Sequence, residues 1–555
     1  MRLRLRRMMT TALSLAAIGL ALCLAGASTP EASPAPPAPP APPTPRPTAE
    51  ETGPARIWVF LTDKGPIDTQ RAIAALESTY SERAIERRRL RRTAPGLFDE
   101  RDLPVHEGYI EDITATGATI RIRSRWLNAV SVEATAGQIA RIASLPFVEK
   151  VQPLRPLTGD PDRQHFRGGS DARAMNPLPR RGFYGYSEAQ LNQITIIDLH
   201  NAGYTAEGII IGILDTGFKR THTAYNHPDH PLDVIAEWDF VNDDGETAPE
   251  EGDLPDQHEH GTYILGTIAA YWPEVLVGGA FDASFILAKV EDVESEYPAE
   301  EDLFVAGLEY IEAQGGDVAT SSVVIYDHYT QEELDGLTSV MTIGLNTAAE
   351  NGLHCCQGAG NSGHDNDPST SHLLPPADAF QVITVGAVNS GGDIAGFSSD
   401  GPTADGRLKP EVLTRGVSTY TTSAYGDESL SAPNGTSLAT PLAASAVACL
   451  VQARPEWTVN QMRVALFQRG DYYIDHGVPD PLFICGFGII DAFASSQTAP
   501  SPADLDGDCD VDVQDLLCLL AAWGPCEGCP EDLNGDGSAN VPDLLELLAA
   551  WGPCG

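Results

Sequence analysis

Four short segments of the chain end or begin on reactive side chains. The first, Ile209-Ile-Ile-Gly-Ile-Leu-Asp215-Thr-Gly217, is an apolar run that finishes on a carboxylate and a glycine turn. Open α/β sheets build their sites at such carboxyl ends of buried strands. The second, His258-Glu-His260-Gly-Thr-Tyr-Ile-Leu-Gly-Thr-Ile-Ala-Ala270, brings two imidazoles to the start of an apolar, helix-like run. The third, Asn434-Gly-Thr-Ser437-Leu-Ala-Thr-Pro441, sets a hydroxyl in a glycine turn at a helix start, whose positive end favours developing negative charge. A serine is unreactive at neutral pH until a base takes its proton, and the base needs its tautomer fixed by a buried carboxylate. The fourth, Gln357-Gly-Ala-Gly360-Asn361-Ser-Gly363, offers an amide donor for an oxyanion. Taken singly, an acid after a strand is usually structural and a serine in a glycine turn is usually a helix cap.

These groups need a scaffold that brings distant segments together. From residue 183 to about 496, β-rich apolar runs alternate with helical patterns; residues 209–214 and 382–388 read as buried parallel strands, and 437–453 as a long apolar helix. The expected class is α/β. Ahead of it, strand patterns at 58–61, 119–123 and 148–151 and helical patterns at 68–92 and 136–144 predict a small α+β unit. Its basic patch, Arg87 to Arg89 with Arg91 and Arg92, is expected to be a solvated helix face, with a processing site as the alternative.

The order acid, imidazole, amide, hydroxyl separates one class of catalytic triad from the other known orders. Asp-Thr-Gly at 215–217, His-Gly-Thr at 260–262, Ala-Gly-Asn at 359–361 and Gly-Thr-Ser-x-Ala-x-Pro at 435–441 resemble the subtilase family of serine peptidases. The resemblance implies a three-layer domain with a central, mostly parallel sheet over 183–496. It implies Asp215 as orienter, His260 as general base and then acid, Ser437 as nucleophile and Asn361 as oxyanion donor on the Gly360 turn. His258 is the competing base; the Gly-Thr after His260 matches the family motif and decides for His260. Ser322, Val323 and Val324 align with the family's substrate strand, with Val324 where glycine is usual, so the cleft is expected to be narrower and the side-chain preference does not carry over. Tyr263 stands where the family usually has a second His, and Leu438 where it has Met. Segments 397–403, 408–411 and 486–492 also look like family segments. Residues 56–155 resemble a subtilisin propeptide, notably Asn128-Ala-Val-Ser-Val-Glu-Ala134 and Leu145-Pro-Phe-Val-Glu-Lys-Val151. By resemblance this unit assists folding and then blocks the cleft until cut within a connector at 156–182. The implied activity is that of an endopeptidase on protein or peptide substrates, made as a zymogen. The rival reading is a catalytically weak, protease-like scaffold with a calcium-dependent adhesion role; an esterase of another fold would need a Gly-x-Ser-x-Gly elbow.

After a short linker at 497–503, Asp504-Leu-Asp-Gly-Asp-Cys-Asp-Val-Asp-Val-Gln-Asp515 recurs 28 residues later as Asp532-Leu-Asn-Gly-Asp-Gly-Ser-Ala-Asn-Val-Pro-Asp543. Each is followed by a leucine-rich helix pattern and Trp-Gly-Pro-Cys. Hard Ca²⁺ takes six to eight oxygens, supplied by loop positions 1, 3, 5, 9 and 12 and a carbonyl at 7. Those positions are Asp504, Asp506, Asp508, Asp512 and Asp515 with the Asp510 carbonyl, then Asp532, Asn534, Asp536, Asn540 and Asp543 with the Ser538 carbonyl. Residues 504–555 thus resemble a type I dockerin, a small α-helical module of paired calcium loops, which implies a cohesin-like docking partner. Cys509 replaces the turn glycine of loop one, and both helices stop early at Trp-Gly-Pro. Whether the peptidase domain binds Ca²⁺ of its own is left open.

In 555 residues, 35 Lys plus Arg face 78 Asp plus Glu, a formal charge of −43 that repels phosphate backbones and excludes nucleic acid as a partner. Arg2, Arg4, Arg6 and Arg7 precede an apolar run at 12–24 that ends in Ala25-Gly-Ala27, which predicts a signal peptide at 1–27 and a secreted or cell-surface protein. The run is too short to span a bilayer, and no later stretch qualifies. Residues 28–55 are a Pro/Ala-rich linker. Of ten cysteines, nine follow the predicted signal, an odd number that leaves at least one thiol free or paired between chains. Cys526-x-x-Cys529 is half of a zinc pattern without its other half.

Overall fold

The computed structural model describes residues 54–94, 96–154, 174–180, 182–293, 301–325, 329–507, 510–526 and 529–553. The predicted signal peptide, the Pro/Ala linker and most of the connector lie outside them, as do Asp508, Cys509 and Cys554. The N-terminal unit runs β1 (Ala55–Leu61), α1 (Thr69–Leu76), α2 (Glu82–Arg91), α3 (Glu107–Ala115), β2 (Thr119–Ser124), β3 (Ala129–Ala134), α4 (Ala136–Ile142) and β4 (Val148–Pro153). Its strands form an antiparallel sheet in the order β2-β3-β1-β4. Ile57, Val59 and Leu61 pack with Val130 and Val132 against Ile110, Ile113 and Ile142 of the helices. The other face, with Trp58 and Ala129, packs on Val305 and Val340 of the large domain. The single helix predicted at 68–92 is two, because Asp68 and Ser81 each cap a first turn by accepting from Arg71 and Ala84 N–H.

The basic patch is not a solvated face. Arg87, Arg88, Arg91 and Arg92 are buried, and only Arg89 of the patch is exposed. Arg87 pairs with Glu312 and donates to the Gly316 carbonyl at 2.7 Å, Arg88 Nε lies 2.8 Å from Glu312, and Arg91 lies 3.2 Å from Asp317. Composition marks α2 as polar all round; Asp99 and Asp102 of the same unit claim Arg92 and Arg88 at 2.7 and 2.6 Å, and Glu312 and Asp317, more than 200 residues away, complete a surface that exists only after folding.

The large domain contains α5 (Glu188–Gln193), α6 (Ile196–Asn201), β5 (Ile210–Asp215), β6 (Asp233–Asp239), α7 (Glu259–Ala269), β7 (Ser284–Lys289), α8 (Glu301–Gln314), β8 (Val318–Ser321), α9 (Val340–Glu350), β9 (His354–Gly358), β10 (Ile383–Val388), β11 (Val412–Arg415), α10 (Thr436–Ala453) and α11 (Val459–Phe467). A seven-stranded, wholly parallel sheet has the order β11-β10-β9-β8-β5-β7-β6. Helices α7 and α10 cover one face, where Ile264, Leu265 and Val447 meet Ile211 and Ile213. Helices α8 and α9 cover the other, where Phe304, Leu308 and Met341 meet Ile210 and Leu214. Burial on both faces is why the strands read as continuous apolar runs rather than alternating ones. From β5 the chain turns to β6 and β7 on one side and then to β8 on the other, so β5 sits at the switch of direction where such sheets open a crevice. Among the described residues α10 alone is long and apolar enough to cross a membrane, and it is buried as the core helix.

The C-terminal module holds α12 (Val513–Ala521) and α13 (Val541–Ala549), with Leu516, Leu519, Leu544 and Leu547 between them. Two short antiparallel ladders, Asp510–Val511 with Gly552–Pro553 and Gly524–Pro525 with Ser538–Ala539, tie each loop to the end of the other repeat. Cys526 and Cys529 are joined in a disulfide, which removes them as metal ligands. Asn460 and Arg463 of α11 donate to the Leu505 and Asp506 carbonyls at 2.6 and 3.2 Å and hold the module's first loop on the large domain.

Candidate active site

β5 delivers Asp215, fully buried, to the carboxyl end of the sheet. There the strand breaks into a turn whose Thr216 N–H and Oγ1 donate to Asp215 Oδ1 at 2.7 and 3.2 Å. His260, in the first turn of α7, lies with Nδ1 2.7 Å from the same Oδ1. An ionised carboxylate only accepts, so Nδ1 carries the proton and Nε2 is the basic nitrogen. The close approach depends on Gly261: a Cβ there would overlap the Gly217 carbonyl and come within 3.2 Å of Asp215 Oδ1. Gly261 N–H donates to Thr216 Oγ1 at 3.1 Å, and Thr262 Oγ1 accepts from Lys219 N–H at 2.9 Å, so His-Gly-Thr is a docking surface for the Asp-Thr-Gly turn. Burial alone would disfavour the imidazolium, but the Asp215 charge and hydrogen bond, with smaller help from Glu291 and Glu259, hold the His260 pKa above its ordinary 6.5. His258 is different: it is buried behind Gly217, 3.2 Å from Asp253, and burial keeps its pKa below the ordinary value.

Ser437 is the second residue of α10 and is nearly buried. The turn before it uses Gly435 at φ 149°, a conformation other residues rarely adopt. Thr436 N–H donates to Asn361 Oδ1 at 2.9 Å and Thr436 Oγ1 reaches the same oxygen at 3.1 Å, which leaves Nδ2 as the amide group free to donate. Gly360, at φ 109°, makes the turn that presents Asn361. Pro441 has no N–H to give back to the Ser437 carbonyl four residues earlier. That carbonyl accepts instead from Ser322 Oγ at 3.2 Å, which fastens the start of α10 to the end of β8. β8 and β5 are neighbours with Ser321 opposite Leu214, so Ser322 continues the register opposite Asp215. Ser437 and the Asp215–His260 pair are therefore brought to adjacent strand ends. Val323, buried, gives its carbonyl to Gln357 Nε2 at 3.0 Å, and Val324 is half-buried at the end of the segment. Gln357, Thr216 and Ser322 hold these pieces in place; only the family-like strings around them mark them in the sequence, because their bonds cross between strands.

In the C-terminal module Asp504, Asp506 and Asp515 converge, each offering an oxygen within 4.8 Å of the others. Asp515 accepts from Leu505, Asp506 and Asp512 N–H, and Asp504 from Gly507 N–H, contacts that fold the loop around its own carboxylates. Asp510 is exposed in its ladder, and Asp512 caps α12 through Gln514 N–H. In the second loop Asp532 accepts from Asp536 and Gly537 N–H, Asn534 from Asp536 N–H, and Asp543 from Asn534 and Asn540 N–H, while Asn540 Nδ2 reaches Asp536 and the Ser538 carbonyl. An all-oxygen donor set rich in carboxylate suits Ca²⁺ and not a soft metal. In the large domain Asp239, Asp244 and Glu250 also approach one another, but Asp239 is already met by Lys289 Nζ at 2.8 Å and by Val241 and Asn242 N–H, so a cation is present there as a side chain.

The Subtilase family profile matches residues 206–488, and the "Peptidase S8 propeptide domain, Bacteroidota" profile matches 56–167. The chain is 31% identical over 307 residues to subtilisin of Bacillus pumilus, covering 55% of this chain and 98% of that protein. It is 32% identical over 308 residues to subtilisin E of Bacillus subtilis (strain 168), covering 55% and 70%. Among solved structures, fervidolysin from Fervidobacterium pennivorans, a keratinolytic enzyme related to subtilisin, superposes with a TM-score of 0.53 at 18% identity, over 81% of this chain and 62% of that one. The chain belongs to the subtilase family: it is a serine endopeptidase carried behind a propeptide of that family.

Proposed function

We propose that Ser437 is the nucleophile of an acyl-enzyme mechanism in which His260 is the proton carrier and Asp215 its orienter. His260 Nε2 takes the Ser437 proton as Oγ attacks the scissile carbonyl of a bound peptide. The imidazolium is stabilised by Asp215, and the proton passes to the departing amine; water then repeats the sequence in reverse to free the acid. The Asn361 Nδ2 group and the N–H of Ser437, in the open first turn of α10, receive the oxyanion. Ser322, Val323, Val324 and Gly360 form the wall along which the substrate lies. The observation that carries this reading is the 2.7 Å contact between Asp215 and His260 at the strand end beside the one that holds Ser437. A fluorophosphonate probe should label the activated chain on Ser437 and leave Ser437→Ala and His260→Ala unlabelled; equal labelling of either variant refutes the assignment.

The rest of the reading concerns delivery. The protein is exported through its N-terminal signal, folds as a zymogen and is cut between residues 156 and 183. The 504–555 module binds Ca²⁺ through its two loops and docks the enzyme to a partner of cohesin type. Support for docking comes from an apolar set repeated at a spacing of 28: Val513, Leu517, Leu520 and Trp523 recur as Val541, Leu545, Leu548 and Trp551, all exposed, with Leu517 at 59% and Leu545 at 61%. Helices that bury Leu516, Leu519, Leu544 and Leu547 against each other keep a second apolar face that nothing in the described chain covers.

A further inference from the structure

The two calcium-loop repeats share a sequence pattern but not their surroundings. Each has a glycine of positive φ at its fourth position, Gly507 at 75° and Gly535 at 72°. A Cβ on Gly535 would meet nothing within 4 Å, whereas one on Gly507 would lie 3.0 Å from the Asn460 side chain and 3.1 Å from Arg463, both on α11. The first loop is packed on the large domain at a point where the second is open. Hydrogen bonds follow the same division. Asn460 Nδ2 donates to the Leu505 carbonyl at 2.6 Å and Arg463 Nη1 to the Asp506 carbonyl at 3.2 Å. The N–H groups of the same two residues donate to Asp515 Oδ1 at 2.6 and 3.2 Å, and Asp515 is one of the three converging carboxylates. Residues 505 and 506 are thus held from both sides, by a carboxylate of the calcium loop at their N–H groups and by the large domain at their carbonyls. Among the described residues, every hydrogen bond of the side chains in the second loop stays within the module.

The pair that holds the carbonyls reaches into the central sheet. Arg463 Nη2 lies 3.3 Å from Glu411, which Lys409 meets at 2.7 Å and which accepts from Thr384 N–H of β10 at 2.7 Å, one residue before β11 begins. Asn460 Oδ1 accepts from Gln381 Nε2 at 3.2 Å at the entry to β10. We infer that the first loop is a strut of the catalytic domain, in which Ca²⁺ binding and the packing of α11 on β10 and β11 are linked through Asn460 and Arg463, while the second loop binds its ion without affecting the domain. The inference rests on the calcium reading of the module and adds that one of its two loops is committed to its own chain. A peptide already fixed at its carbonyl costs less to order at its N–H, so each partner prepares the loop for the other, and the effect must run equally in both directions.

The test uses full chains carrying Ser437→Ala, which prevents self-cleavage, with one loop disabled at a time. Asp543→Ala leaves the first loop and Asp515→Ala the second, each change falling at the last ligand position of its loop. In calorimetric titration with CaCl₂, adding Asn460→Ala should weaken binding about 5- to 30-fold in the first-loop chain and leave the second-loop chain within about twofold. Hydrogen exchange read by mass spectrometry tests the opposite direction: Ca²⁺ should slow exchange in residues 459–467 of the first-loop chain and not of the second-loop chain. Arg463→Gln, which leaves Lys409 to pair with Glu411, should repeat the selective loss of affinity and serves if Asn460→Ala does not fold. Equal weakening in both chains, weakening in neither, or exchange in α11 that ignores Ca²⁺ in the first-loop chain overturns the inference. A Ser437→Ala chain with both loops intact that binds no Ca²⁺ overturns the calcium reading instead.

Discussion

Glu312 is where the propeptide's grip on the catalytic domain can be measured. Its carboxylate is fully buried against three propeptide cations: Arg87, Arg88 Nε at 2.8 Å and Arg125 at 3.1 Å. Burial alone would raise its pKa, but Arg87, Arg88 and Arg125 outweigh burial and hold it at about 2 against an ordinary 4.5. Because all three cations come from the propeptide, the depressed value belongs to the complex, and the free domain should titrate near the ordinary one. A depressed acid stabilises above its free pKa and loses that stabilisation as pH falls toward the bound value, so this contribution is complete above about 4.5 and gone near 2. The full difference corresponds to about 3 kcal/mol, or about 300-fold in affinity, of which about 30-fold is lost by pH 3. The assay is a Ser437→Ala chain carrying a foreign protease site within residues 159–164, cut in trans, with release of a propeptide half labelled at its amino terminus followed by fluorescence polarisation from pH 7 to 3. Glu312→Gln should bind more weakly at pH 7 and show a shallower loss on acidification than the parent, since other interface carboxylates still titrate. Identical pH dependence in the two chains would falsify the argument, because it would mean that Glu312 does not exchange a proton on release.

Three shorter expectations follow from the site. The base must be neutral to act and Asp215 raises its pKa, so the acid limb of kcat/KM should have its midpoint above 6.5; Asp215→Asn should move it down, because burial is then opposed only by the weaker effect of the Glu291 and Glu259 charges. An unmoved limb means another group titrates. Gly261→Ala must push α7 away from the Gly217 carbonyl and should cost about 100-fold or more in kcat with the chain still folded by circular dichroism; near-parent activity would show that the contact is not limiting. For the C-terminal module, calorimetric titration should find one Ca²⁺ fewer bound by Asp515→Ala than by the parent chain, and chelation should lower the module's melting midpoint as followed by Trp523 and Trp551 fluorescence. Unchanged stoichiometry in the variant would remove Asp515 as a ligand.

What the sequence discloses here depends on how far apart the interacting partners are. The strand that ends on Asp215 and the glycine after His260 are visible because each is dictated within a few residues, by burial on both faces of a parallel strand and by the space a helix start needs. Pro441 is legible in the same way once the carbonyl it releases is counted. The arginines of α2 read as solvated because two of their carboxylates, Glu312 on α8 and Asp317 just before β8, come from the distant domain, and a charged helix has no local mark that separates water from an acidic surface built by folding. Gln257 escaped notice because nothing in Pro-Asp-Gln-His says that its amide will donate to the Thr216 and Glu291 carbonyls, each at 2.7 Å. The split of 68–92 into two helices was within reach, since Ser81 three residues before Ala84 is an ordinary cap, but the apolar period runs on through the break.

The same interface gives a physical reason to expect that a catalytic domain of this composition needs help to fold. Helix α8 carries Glu301, Asp302, Glu309 and Glu312 and no base. Arg121 lies 3.0 Å from Asp302, Arg125 3.3 Å from Glu309, and Arg87 and Arg88 meet Glu312, so nearly every cation on this face is lent by the propeptide. Without it, like charges on α8 oppose helix formation, in a domain that has also lost the propeptide's arginines. α8 is the crossover that sets β8 beside β5, and only that pairing carries Ser322, and with it the start of α10, to Asp215. Propeptide binding and active-site assembly are therefore expected to be one step, limited by electrostatic repulsion that salt can screen, since the screening length shrinks to about 3 Å at 1 M. Refolding of a Ser437→Ala chain that starts at residue 183 should accordingly be slow in dilute buffer and faster in 1 M NaCl, with the salt effect much reduced when residues 54–154 are added in trans. Refolding that is equally slow at both salt concentrations would place the barrier elsewhere, in the long-range strand pairing itself.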